Sequence, residues 1–237
     1  MSEQVDNIIK QAHTVWSSWN KLSYSVRAEV ILNWANDIGK LPLLGKVARK
    51  LVKSQIKNGS VLIGNEKVML GPTGESNELY TSGRGVFVIH CSEDAPINAI
   101  VAIVSTALLA GNCIIITLPN RMTENADQIK STLIDAGIPE YVVQVSPIEM
   151  INRLINESSI AGLAYVGHLS ESIQLNRLLA DKQGLLTQLI LETELNSLNS
   201  LLDKYFILRF ITEKTRTINI TAVGGNAALL ELGCGDL

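Results

Sequence analysis

The sequence predicts an α/β fold: a doubly wound, parallel, five-stranded Rossmann-like sheet, with further helices before it and a C-terminal β-hairpin flap after it. Three observations favour this class. The 237 residues are 46% hydrophobic and only 18% charged, which is enough apolar sequence to bury a continuous core. Short apolar runs alternate with amphipathic segments between residues 85 and 192. These runs are apolar throughout, as expected for strands that helices cover on both faces.

Two amphipathic helices are predicted ahead of the sheet. Apolar residues recur at steps of three and four from Val5 to Trp19, and again from Val26 to Ile38, where Gly39 provides a helix stop. Three tryptophans within these segments are interpreted as core packing of the two helices. Residues 40–78 are less periodic, and predict a short helix around 47–55 followed by loops and an edge hairpin.

The alternating part of the chain gives the sheet itself. The predicted strands cover residues 85–90, 113–117, 141–145, 162–166 and 186–192, and the predicted helices cover residues 96–110, 124–136, 147–156 and 170–181. In a sheet of this kind, ligands bind beyond the carboxyl ends of the strands. Residues that follow those ends are therefore the candidates for a functional site.

The C-terminal segment predicts a β-hairpin flap, with strands at 205–212 and 215–221 joined by a Glu213–Lys214 turn. A two-stranded hairpin is marginally stable alone, and no further sheet is predicted to receive it. We therefore expect it to pack on a second subunit or another domain, which divides the chain into domains 1–200 and 201–237. The candidate interface residues are Phe206, Leu208, Phe210, Thr215, Thr217, Asn219 and Thr221.

Composition and charge argue against several classes of function. Lysine plus arginine number 20 and aspartate plus glutamate number 23, so no basic excess neutralises a nucleic-acid backbone. The three cysteines have no CxxC spacing, and three histidines add no metal-ligand pattern. The N-terminus is acidic where a signal peptide is basic. We expect a cytoplasmic chain with reduced cysteines that binds neither nucleic acid nor metal and does not insert into a membrane.

Several blocks of the sequence resemble the aldehyde dehydrogenase superfamily, in order and at family spacing. They include residues 19–23 and 27–28 in the first helices, Ala110-Gly111-Asn112 after the first sheet helix, residues 136–139, and the turn at 166–168. Two further segments, residues 70–77 and 212–227, resemble the proline utilization A family of bifunctional bacterial flavoenzymes. The resemblance implies the extra aldehyde-dehydrogenase-like domain at the C-terminus of the longer members, which is not the catalytic one.

The resemblance implies a set of catalytic groups. Aldehyde oxidation by this family needs a thiolate nucleophile, an oxyanion donor and a carboxylate base. Glu192 and Tyr205 are only thirteen positions apart, which leaves no room for the domain that carries the nucleophile. Cys91 and Cys113 are expected to be buried. The resemblance places the family's oxyanion donor at Asp94, whose negative charge would repel a developing oxyanion. It places the family's general base at Glu192.

The cofactor positions have changed as well. The family lysine that holds the adenosine ribose is missing from Thr117-Leu118-Pro119, and histidine replaces serine in the Gly167-His168 turn. Thr117, Gly167 and His168 thus mark a vestigial crevice. No cofactor is expected, although NAD remains an alternative.

The resemblance implies a structural role: covering a substrate-channelling cavity, domain docking or oligomerisation. The partners implied are the other domains of the parent proline-catabolism enzyme, or a second copy through the flap. Two alternatives stay open. One is an active NAD-dependent pyrroline-5-carboxylate dehydrogenase, and the other is a nucleotide-binding sensor module.

Overall fold

The first part of the chain folds as three helices. The structure is a computed structural model that describes residues 2–39, 45–72, 74–184 and 186–219. The helices are α1 (Ser2–Lys21), α2 (Tyr24–Ile38) and α3 (Gly45–Ile63). Helix α3 is longer than the predicted helix around 47–55, because Ala48, Val52, Gln55, Gly59 and Ile63 give it one continuous buried face.

Strands and helices then alternate as predicted. A hairpin of β1 (Lys67–Met69) and β2 (Glu75–Gly83) comes first. The alternating elements are β3 (Val86–Cys91), α4 (Ile97–Leu109), β4 (Cys113–Thr117), α5 (Thr123–Asp135), β5 (Val143–Val145), α6 (Ile151–Asn156), β6 (Ile160–Val166), α7 (Leu169–Asp181) and β7 (Gln188–Glu192). Short 3-10 helices at Asn120–Met122 and Ile148–Met150 precede α5 and α6. The chain continues through α8 (Asn199–Leu202), a 3-10 helix (Phe206–Phe210) and β8 (Ile211–Asn219).

The main sheet confirms the predicted fold class. Its five strands are all parallel, in the order β5-β4-β3-β6-β7, so β3 lies at the centre. Strand β4 is completely buried because helices cover both faces of the sheet. All five strands end at the same edge, where the candidate site residues follow.

Helix α4 is enclosed, since every residue from Ala99 to Leu109 is buried. Its last carbonyl groups cannot reach water, so they need donors from the protein. Trp19 Nε1 donates to the Leu108 carbonyl (3.2 Å) and Arg27 Nε donates to the Leu109 carbonyl (3.0 Å). Trp16 Nε1 donates to the carbonyl of Gly111 (3.1 Å). Trp19 and Trp34 are buried, which confirms the core packing predicted for them.

The turn after α4 depends on Asn112. Its side-chain oxygen accepts hydrogen bonds from the backbone N–H groups of Arg84 (2.7 Å) and Gly85 (3.1 Å). Its amide group donates to the carbonyls of Ala107 (3.1 Å) and Phe210 (3.0 Å). Gly111 precedes it with φ of +87°, a left-handed conformation that favours glycine. Asn112 thus joins α4, the start of β3 and the C-terminal segment.

The C-terminal segment is β-structure outside the main sheet, but its pairing differs from the predicted hairpin. Residues Phe206–Phe210 form a buried 3-10 helix, and β8 runs uninterrupted through the predicted Glu213–Lys214 turn. It pairs antiparallel with β2 from Ile211 opposite Gly83 to Asn219 opposite Glu75. The expectation that no sheet in the chain would receive this segment was therefore wrong, because the β1–β2 hairpin does so.

None of the described helices is both long enough and apolar enough to span a bilayer. The enclosed helix α4 is strongly apolar, but it has only 13 residues where a membrane span needs about 20.

Replacing Asn112 with alanine should reduce the free energy of unfolding by about 3 kcal/mol or more, because four backbone groups, most of them buried, lose their hydrogen-bonding partner together. Urea unfolding followed by circular dichroism measures this loss. Asn152→Ala, at an exposed position on α6, is the matched control and should change stability by no more than about 0.5 kcal/mol. Equal effects of the two substitutions would contradict the role assigned to Asn112.

Candidate functional site

The candidate site is a crevice beyond the carboxyl ends of β3, β6 and β7. A cavity of about 590 Å³ lies there, lined by Asp94, Pro96, His168 and residues 193–197. The sequence predicts ligands at this edge of the sheet, and the structure brings Asp94 and His168 together at it.

Asp94 and His168 form a bridge across the crevice. His168 Nε2 lies 2.9 Å from Asp94 Oδ2, and the hydroxyl of Ser92 donates to Asp94 Oδ1 at 2.7 Å. The hydrogen bond from Ser92 lowers the pKa of Asp94, and His168 lowers it further. Asp94 is thus held as a carboxylate. If Asp94 stands at the oxyanion position, as the sequence resemblance implies, its fixed negative charge would repel a developing oxyanion.

Glu192 is occupied by backbone contacts. Its side chain is buried, and one carboxylate oxygen accepts the N–H of Glu194 (2.9 Å) while the other accepts the N–H of Leu201 (3.0 Å). Leu201 lies in α8, so the carboxylate ties this short helix to the end of β7. Both oxygens are therefore engaged in holding the chain in place.

A second cavity, of about 450 Å³, lies between the ends of β3 and β4 and helices α6 and α7. Its lining includes His90, Glu93, Asn120, Tyr165, Glu171 and Leu175. The buried Tyr165 hydroxyl donates to Glu171, and His90 Nδ1 lies 2.9 Å from the Thr117 carbonyl. A Cβ on Gly167 would collide with the Tyr165 hydroxyl oxygen, so glycine is required there.

Three residues of this second cavity, His90, Tyr165 and Glu171, were not among the predicted site residues. Glu171 had a readable signal, since it stands in the first turn of a predicted helix that follows a sheet strand. The tyrosine inside an apolar strand run gave no sign that its hydroxyl reaches the strand end. The predicted Thr117 is buried, and its hydroxyl donates to the Pro147 carbonyl at 3.4 Å.

The charges around both cavities oppose a phosphate ligand. Glu93, Asp94 and Glu171 line them, while His168 is already paired with Asp94. The first turn of α7 would otherwise attract the pyrophosphate of a dinucleotide. Within the described ranges, no group of His, Cys, Asp and Glu side chains could hold a metal ion.

The two described cysteines are buried and free. Burial raises the pKa of Cys91 to about 12 and that of Cys113 to about 12. At neutral pH both are therefore thiols and not thiolates, and only the thiolate is nucleophilic. Cys234 lies outside the described residues.

The candidate interface residues separate into two groups. Phe206 and Phe210 are 2% and 0% exposed, and the ring of Phe210 packs against Phe87 with centroids 5.2 Å apart. The prediction of an interface role for these two residues is wrong, because they belong to the core of their own chain. Leu208 is partly buried against that core. Thr215, Thr217 and Asn219 are exposed on β8, and Thr221 lies outside the described residues.

Comparison with known proteins defines the class of fold. No protein-family model and no curated protein sequence matches this chain. An NAD-dependent benzaldehyde dehydrogenase from Corynebacterium glutamicum superposes with a TM-score of 0.68 at 16% identity, over 80% of this chain and 46% of that one. The chain therefore has an aldehyde-dehydrogenase-like fold.

The chain is also similar to solved structures of a particular protein, proline utilization A. A variant from Bradyrhizobium japonicum matches with a TM-score of 0.75 and 26% identity, over 81% of this chain and 22% of that one. The enzyme from Bdellovibrio bacteriovorus matches with a TM-score of 0.74 at 17% identity, over 81% and 23%. The chain thus spans about a fifth of the length of these proteins, and the resemblance read from the sequence is confirmed.

Replacing Glu192 with alanine should lower the free energy of unfolding by about 2 kcal/mol, because the N–H groups of Glu194 and Leu201 lose their acceptor. Glu192→Gln should lose less, since one amide oxygen remains to accept. The exposed Glu149→Ala is the control, with an expected change below about 0.5 kcal/mol. Chemical unfolding measures all three, and an unchanged Glu192→Ala midpoint would refute the structural role.

The two buried thiols should resist alkylation in the folded chain. Iodoacetamide at mildly alkaline pH should leave Cys91 and Cys113 unmodified, because neither is exposed or ionised there. Peptide mass spectrometry reads the two sites, and the same reaction in urea should modify both. Rapid labelling of Cys91 in the native chain would reveal a reactive thiol at the end of β3.

Proposed function

We propose that this chain is a non-catalytic, aldehyde-dehydrogenase-like domain of a proline utilization A protein, with a structural task in the cytoplasm. The observation that carries the proposal is the buried Glu192 carboxylate, whose two oxygens are both bound to backbone N–H groups. The one side chain that stands where the family has its general base holds α8 in place.

The rest of the reaction machinery supports the same interpretation. Aldehyde oxidation of this kind needs a thiolate that attacks the carbonyl, a donor for the oxyanion and a bound nicotinamide. Cys91 and Cys113 are buried thiols with raised pKa values. The position of the oxyanion donor holds the Asp94 carboxylate, which is paired with His168.

We propose no cofactor for this chain. The cavity beside α7 is walled by Glu93 and Glu171, and the Tyr165 hydroxyl takes up the space beside Gly167. A dinucleotide would have to place its phosphates near two carboxylates without the family's lysine. Electrostatic repulsion in this partly enclosed space disfavours such binding.

The structural task that we propose is docking on the other domains of the parent protein, so that this domain covers a substrate-channelling cavity. The sheet of β1, β2 and β8 supports this idea. Residues 212–219 of β8 are all exposed, and β8 is an edge strand of the sheet among the described residues. A long, exposed edge strand is typical of a surface that another domain or chain covers.

The purified chain, mixed with NAD and pyrroline-5-carboxylate, should form no NADH above the rate without protein, because it offers no thiolate, oxyanion donor or free base. Isothermal titration with NAD should show no binding heat. Full-length proline utilization A is the positive control for both assays.

NADH formation that Glu192→Gln abolishes would establish the active dehydrogenase instead. A rise in melting temperature with NAD or ATP, without turnover, would favour a nucleotide sensor.

A further inference from the structure

Two adjoining cavities lie beyond the carboxyl ends of β3, β4 and β5. The second cavity, of about 450 Å³, opens between α6 and α7. A smaller cavity of about 220 Å³ lies between the start of α5 and the end of β5. Asn120 and Ile148 line both, so the two cavities lie side by side. We call the larger one the polar lobe and the smaller one the apolar lobe.

The polar lobe contains carboxylates that have no cation to pair with. Glu93 and Glu171 line it, and neither forms an ion pair with a residue that the structure describes. Glu171 accepts a hydrogen bond from the Tyr165 hydroxyl, but a carboxylate can accept several more. No lysine or arginine is among the described residues that line the lobe. The lobe therefore favours a positively charged ligand.

His90 adds a third acceptor to the polar lobe. Its Nδ1 lies 2.9 Å from the Thr117 carbonyl oxygen, and because a carbonyl can only accept, Nδ1 is the donor of this hydrogen bond. Burial lowers the pKa of His90, which keeps the ring neutral at neutral pH. Nε2 is then an acceptor, and it has no partner within the described parts of the chain. Two carboxylates and one imidazole nitrogen match the three N–H bonds of an ammonium group.

The apolar lobe contains a buried hydroxyl group that lacks a hydrogen bond. Ser146, which follows β5, lines the lobe and is only 3% exposed. Its backbone N–H donates to the Ile116 carbonyl at 2.9 Å, but its hydroxyl has no partner in the part of the chain that the structure describes. A buried hydroxyl without a hydrogen bond is costly, and a polar group bound in the lobe would supply the missing partner. The rest of the lining is mainly aliphatic, from Leu118, Ala126, Val145 and Ile148.

We propose that the two lobes together bind a short aliphatic primary amine that carries a hydroxyl group at its other end. The ammonium group lies in the polar lobe between Glu93 and Glu171, and the hydroxyl meets Ser146 in the apolar lobe. The methylene chain passes between the lobes beside Asn120 and Ile148. The carboxylates repel an anionic ligand, and a second ammonium group would lose its hydration in the apolar lobe without a counter-charge. The lobes therefore select one cationic end and one neutral polar end.

Calorimetric titration of the full chain with a set of five-carbon ligands tests this selection. At about 50 mM NaCl, 5-aminopentan-1-ol should bind with a Kd of about 1 mM or tighter. Pentylamine lacks the hydroxyl and should bind about threefold to tenfold more weakly, pentan-1-ol lacks the ammonium group and should bind about tenfold or more weakly, and pentanoate should not bind. No binding of the amino alcohol, or equally tight binding of pentan-1-ol, overturns the proposal. Binding of adenosine but not of the amino alcohol would assign the lobes to a nucleoside and would also overturn it.

Substitutions in each lobe test where the two ends of the ligand lie. Glu93→Gln/Glu171→Gln should weaken binding of the amino alcohol by about tenfold or more and leave the affinity for pentan-1-ol unchanged. Ser146→Ala should lower the affinity for the amino alcohol to that for pentylamine and leave pentylamine unaffected, because the two hydroxyl groups are then coupled. The control Glu149→Gln removes an exposed carboxylate that lines neither lobe, and should change no affinity.

Circular dichroism of each variant checks that the fold is retained. If the double variant does not fold, Glu93→Gln alone provides the test, since this side chain is exposed. It should weaken binding of the amino alcohol by about threefold or more. An amino alcohol that binds the folded lobe variants as tightly as the unsubstituted chain would lie elsewhere on the protein, and would overturn the proposal.

Discussion

The end of helix α4 is the constraint on which the rest of the fold depends. The helix is enclosed, so its last carbonyl groups must find donors inside the protein. Trp19 and Arg27 supply them from two preceding helices, and Asn112 then fixes the turn to β3 and to the carbonyl of Phe210. Burial lowers the pKa of Arg27 to about 10, so it remains a cation at neutral pH. The end of this one helix thus holds together α1, α2, the start of β3 and the C-terminal segment.

The polar side chains around the crevice are engaged by other groups of the chain. Glu192 anchors helix α8, and Asp94 forms a bridge with His168. Tyr165 and Glu171 bond to each other at the wall of the second cavity. Each of these contacts satisfies a polar group within the chain itself.

The sequence predicts the five strands and their helices well, because long apolar runs and periodic helices report burial directly. It fails at the C-terminus, where an aromatic and β-branched run looks like a strand. There the tertiary contact of Phe210 with Phe87 overrides local preference and makes a buried 3-10 helix. For the site, positions such as Asp94 and Glu192 could be located, but their partners could not. Those partners come from loops and backbone groups that no residue pattern places.

The pairing of β2 with β8 also governs the order in which the chain can fold. Residues 75–83 of β2 cannot pair with residues 211–219 of β8 until those have been synthesised. The three-stranded sheet therefore closes only after the whole main sheet has emerged from the ribosome. Until then the β1–β2 hairpin presents an open edge, of the kind that mispairs with other chains or recruits chaperones. Pairing of β2 with β8 therefore becomes possible only after the strands of the main sheet have been synthesised.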